Sequence, residues 1–149
     1  MSNIYFYILL ALAAGAMMPT QAATNNKMAG VVESPILAAF ISFFVGTIAL
    51  FAYMLISGTP LANLTSAKEA PAIAWIGGLL GAFFVTAAVM LVPRLGVAMT
   101  FSLIIAGQMI VTLIIDHFGL LGVPMKEVSL ARIAGIALIA SGVVLIRRF

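Results

Sequence analysis

Residues 35–56 read PILAAFISFFVGTIALFAYMLI, an apolar run from Pro35 to Ile56 without a single charged side chain. A helix over this run reaches about 33 Å, enough to cross a hydrocarbon core of roughly 30 Å. Similar runs lie on either side, and helices are expected at about Ile4–Ala23, Ala72–Val92, Gly96–Asp116 and Leu130–Ile146, each boundary within about three residues. The 149 residues are 64% hydrophobic and only 7% charged, more apolar surface than a water-soluble fold of this size can hide. The expected fold is therefore an all-α membrane protein, a single transmembrane domain over residues 1–149. Five spans put the two termini on opposite membrane faces.

The breaks between spans carry helix-start chemistry. Ser34–Pro35 and Ala70–Pro71 place proline where a helix begins and its missing N–H is not needed; Ser34 is set to cap the second helix and Ser129 the fifth. The link Pro93–Arg94–Leu95–Gly96 is short enough to make helices three and four antiparallel neighbours. The other links are expected to be polar and about 10 to 14 residues long, too short for an extramembrane binding module. The first span runs into Thr20–Gln21–Ala22–Ala23, a faint cleavage-site pattern, but no Lys or Arg precedes it, so a retained helix is expected rather than a cleaved signal. No cysteine is present for disulfide or thiol chemistry.

Charge placement gives almost no orientation preference. On the N-terminal face the links hold Lys68, Lys126 and Arg132; on the other lie Lys27, Arg94, Arg147 and Arg148. The positive-inside rule separates such a tally poorly. Two readings follow: insertion in both orientations with pairing of inverted copies, or one orientation weakly preferred.

Polar residues inside the spans are the candidate pathway. Gln108, Thr112 and Asp116 recur at intervals of four on the fourth helix, within about 80° of arc. Polar groups at that depth turn toward protein or water, so the stripe is either a pathway or interhelical glue. Asp116 stands at the membrane edge, where an interfacial carboxylate is the simpler role. His117 projects about 100° away from it, which excludes an adjacent catalytic dyad. On the first helix Pro19 frees the carbonyl of Gly15, and Gln21 and Asn25 share a face one turn apart. That cluster is either a transport-site kink or a helix end entering a polar link. Glu33 would sit at the positive N-terminus of the second helix. In an inverted pair, Asp116 of one copy reaches the same membrane face as Glu33 and Arg94 of the other, making these three candidates for proton coupling or gating.

Small residues mark expected packing faces: Ser34, Ala38, Ser42 and Gly46; Gly77 and Gly81; Ala131, Gly135 and Gly142. Trp75 reads as an interfacial anchor. No acidic pair or histidine cluster has metal-ligand spacing, and the Gly77–Gly81 run lies inside an apolar span where phosphate binding is out of place. The sequence thus points to no enzyme activity, no metal and no cofactor. The net charge of +3 suits lipid headgroups better than nucleic acid.

One set of residues carries a family resemblance over the whole length: Gly15, Pro19, Gln21 and Asn25; Ser34–Pro35, Ala38–Ala39, Ser42–Phe43 and Gly46–Thr47; Trp75, Gly77–Gly78 and Gly81–Ala82; Pro93–Arg94–Leu95–Gly96; Gly107–Gln108; Asp116–His117–Phe118–Gly119; and Arg132, Gly135, Leu138 and Gly142. The chain resembles the small five-helix bacterial inner-membrane group called YdcZ-like, within the drug/metabolite transporter superfamily. The resemblance implies a transporter subunit working as an antiparallel homodimer or with a homologous subunit, and it implies no substrate. In that group a small residue, often glycine, precedes the Ser-Pro pair, whereas this chain has Glu33. Inverted units with a midplane site are also a common transporter design. The expected function is a secondary transporter moving a small organic solute by alternating access; a small dual-topology channel and a non-transporting assembly protein are the alternatives.

Overall fold

The structure is a computed structural model and describes residues 4–148; residues 1–3 and 149 of the expected domain lie outside the described residues. Within the described residues the fold is all-helical, with five helices long and apolar enough to cross a membrane. They are α1 (Ile4–Val32), α2 (Pro35–Ser57), α3 (Ala72–Leu95), α4 (Val97–Phe118) and α5 (Leu130–Arg148). The chain forms two compact units, Met1–Pro93 and Arg94–Phe149.

Four of the five helices match their expected limits to within three residues. The exception is α1, which continues nine residues past Ala23 to Val32. The polar run Thr24–Asn25–Asn26–Lys27 is thus helix, and the expected link shrinks to Glu33 and Ser34. This happens because the polar run has somewhere to pack: Ala22 and Asn25 are buried, and Ala29 lies against the cluster of Ala39, Val85 and Val89. Pro19 is accommodated inside α1, and Pro93 inside the last turn of α3.

The two-residue turn is closed by local chemistry. Glu33 takes φ 53°, a left-handed conformation that favours glycine. Ser34 then caps α2, its Oγ accepting from the Leu37 N–H at 3.3 Å, with Pro35 opening the helix. Gly58 ends α2 in the left-handed region. A 3-10 stretch, Leu61–Glu69, leads to α3.

In the first unit, α1 packs on α2, and α3 contributes Val85 and Val89 to the small core. Gly81 of α3 lets the Phe43 ring approach: a Cβ there would lie 3.4 Å from it. In the second unit, α4 packs on α5. The remaining expected packing glycines are less engaged. A Cβ added at Gly46, Gly77, Gly135 or Gly142 would meet open space within its own unit. Large apolar side chains such as Phe44, Phe51, Leu79, Phe83, Leu138 and Leu145 are exposed, as lipid-facing surfaces require.

Candidate functional site

Polar side chains collect in two places, one in each unit. In the first unit, α1 presents Gln21, Thr24 and Asn25 on neighbouring turns. Across from them α2 presents Ser42 and Thr47. A cavity of about 220 Å³ is lined by Thr24, Asn25, Met28, Ala38, Ile41, Ser42 and Val45. A second, of about 210 Å³, shares Ser42 and is bounded by Gln21, Phe43, Gly46, Thr47 and Leu50. The two share Ser42 and succeed one another along the α1–α2 seam, which is the α1–α2 groove; its deepest polar residues, Gln21 and Thr47, lie about 17 to 18 Å along their helices from the α1–α2 turn, roughly half the depth of a bilayer core.

Asn25 is the most telling residue of this groove. It is only 7% exposed, and its amide nitrogen has no hydrogen-bond partner. On its other side the space bounded by Met18, Gln21, Ala22, Phe84, Val85 and Ala88 is too tight for a water molecule. A buried amide without a partner costs about 1–3 kcal/mol, which sets Asn25 apart from the other polar groups here. Sequence spacing placed Gln21 and Asn25 together, and both border the groove. Ser42 and Thr47 are not among the pathway residues the sequence offers; it presents Ser42 as a small packing residue and both as part of the family resemblance.

The second unit holds a network built around one ion pair. Asp116 at the end of α4 accepts from Arg132 of α5, with Nη2 to Oδ2 at 2.5 Å. Arg132 also donates through Nη1 to the Lys126 carbonyl at 3.1 Å, while the Lys126 N–H donates to the Asp116 carbonyl at 2.8 Å. The Val128 N–H donates to His117 Nδ1 at 3.4 Å, and Ser129 Oγ caps α5 by accepting from the Arg132 N–H at 3.3 Å, as expected. The returning loop is thereby tied to the end of α4. The two bonds from the Arg132 guanidinium are charge-assisted and stronger than neutral ones, and with the Lys126 N–H they close a ring through Asp116.

The expected α4 stripe divides. Thr112 and Asp116 turn toward α5, Thr112 lining a cavity of about 240 Å³ with Met109, Leu113, Arg132, Gly135, Ile136 and Ile139. Gln108 is exposed and borders none of the cavities described here. Eight residues back, the accumulated rotation of about 80° carries it off the α5 side. Arg132 was missed as the partner of Asp116. Its signal was an opposite charge at the facing end of the next helix, across a short link. Glu33 and Arg94, the other gating candidates, are exposed and have no ion-pair partner among the described residues.

A family model described as "putative inner membrane exporter, YdcZ" matches residues 6–145. The chain belongs to this YdcZ family. Membership and the five apolar helices make it an integral inner-membrane protein of a family described as exporters. The match runs from α1 through most of α5, so both the groove and the Asp116–Arg132 network fall inside the YdcZ region. No curated protein and no solved structure matches the chain.

Proposed function

We propose that this chain is one half of a secondary transporter, pairing with an inverted copy or homologous subunit and moving a small organic solute across the inner membrane by alternating access. The observation that carries this reading is the half-built groove on α1 and α2, with the unpartnered Asn25 amide beside it. Its depth, from the turn to about mid-membrane, fits a site exposed to one face at a time. A second wall would come from the paired subunit, and the glycine surfaces at Gly77, Gly135 and Gly142 offer close-approach faces for it.

Two carboxylates are candidates for proton coupling, and their settings differ. Asp116 already holds Arg132, so any interchain contact with Arg94 must compete with that bond. Glu33 stands exposed on the α1–α2 turn with no ion-pair partner among the described residues and is the stronger candidate.

Reconstitution into proteoliposomes tests the reading. Solute flux should saturate with concentration for a carrier, scale with driving force for a channel, and be absent for an assembly protein. Flux by Glu33→Gln should lose its dependence on a proton gradient. A single cysteine at the exposed Thr65, introduced into this cysteine-free chain, should be labelled from both membrane faces if the chain inserts both ways. One-sided labelling with no homologous partner subunit would reject the inverted pair.

A further inference from the structure

We propose that the α1–α2 groove binds an uncharged solute, one that carries both hydrogen-bond donors and acceptors on an apolar body. The inference rests on the transporter reading above and adds the chemical class of its substrate. It follows from what each lining group has left to offer.

Thr24 Oγ1 donates to the Gln21 carbonyl at 2.9 Å, and Thr47 Oγ1 donates to the Phe43 carbonyl at 2.8 Å. Both hydroxyl protons are thus spent on the backbone, and toward the groove these oxygens can only accept. Donors come from the Asn25 and Gln21 amides, with the Ser42 hydroxyl able to serve either way. Asn25 is the one polar group here that is buried and short of an acceptor. The terminal torsion of an Asn side chain is soft, so its N–H can turn to an acceptor seated in the groove.

None of the residues lining the two cavities is ionisable. A cation or carboxylate seated there would be stripped of water without a counter-charge, which is strongly disfavoured at membrane depth. The remaining walls, Met28, Ile41, Val45, Phe43 and Leu50, are apolar and suit a hydrocarbon or aromatic body. The groove therefore selects by neutrality and by a mixed donor and acceptor pattern.

Indole-3-acetamide, indole-3-acetate and tryptamine share one ring system and differ in charge, which makes them suitable probes. The full-length chain carrying Ser42→Cys, in lipid nanodiscs, is treated with the neutral thiol reagent methyl methanethiosulfonate in the presence of each. Indole-3-acetamide should slow modification by about tenfold, as expected at concentrations well above its dissociation constant, while the two charged compounds leave the rate unchanged. Equal protection by either charged compound, or protection by none of the three, overturns the proposal. Adding Asn25→Leu should bring the ratio of the rates without and with indole-3-acetamide to one; retained protection also overturns the proposal. Gln21→Leu serves the same purpose if Asn25→Leu does not accumulate in the membrane. Flux in proteoliposomes separates the two readings. Selective protection without flux leaves the binding class standing and removes the transporter. Flux of a charged indole keeps the transporter and removes the class.

Discussion

The two units treat polar groups in opposite ways. In the second, Asp116, Arg132, Lys126, His117 and Ser129 use one another and the loop backbone, a network that closes on itself. In the first, Asn25 is buried with a free donor, and Gln21, Thr24, Ser42 and Thr47 border an open groove. Within a membrane, a satisfied network stabilises the fold, whereas an unsatisfied one is tolerated where something else completes it. The contrast sets a self-satisfied α4–α5 end against the α1–α2 groove proposed to bind solute.

Substitutions should therefore change stability with opposite signs. Arg132→Ala leaves Asp116 partly buried without its cation and should destabilise by about 1.5–3 kcal/mol, read as a lower midpoint of thermal unfolding in detergent. The exchange Asp116→Arg with Arg132→Asp should recover part of that loss. Asn25→Leu removes an unsatisfied amide and should stabilise by up to about 1–2 kcal/mol, read as a higher midpoint, while abolishing solute flux. A stabilised variant that still transports would break the contrast.

Two smaller effects sharpen it. Gly119 ends α4 at φ 58° with the Val123 carbonyl 3.4 Å from where a Cβ would sit, so Gly119→Ala should destabilise by about 1 kcal/mol and loosen the tied loop. Glu33→Gly should stabilise by a few tenths of a kcal/mol to about 1, because glycine takes the left-handed turn freely, partly offset by losing a negative charge at the N-terminus of α2. Limited proteolysis at the 119–129 loop checks the first, and thermal unfolding the second.

Most of the helical layout was legible because apolar runs of membrane length have few alternatives. The end of α1 was not, since Thr24–Asn25–Asn26–Lys27 has the composition of a link and only packing against α2 and α3 keeps it helical. The Gln21 and Asn25 pairing was legible from spacing within one helix. The Asp116–Arg132 bond was not, because its geometry depends on how the loop from Gly119 to Ser129 returns. For the same reason spacing alone groups Gln108 with Thr112 and Asp116, while within this unit α5 covers only the Thr112 and Asp116 part of that stripe.

The length of α1 carries a consequence of its own. Its 29 residues extend about 43 Å, well beyond a hydrocarbon core of roughly 30 Å. The excess must lean over or emerge into the headgroup region, and the balance between the two shifts with acyl-chain length. Bilayer thickness thus becomes a dial on how deeply Asn25 is immersed, and lipids of graded chain length offer a way to turn it without altering a single residue.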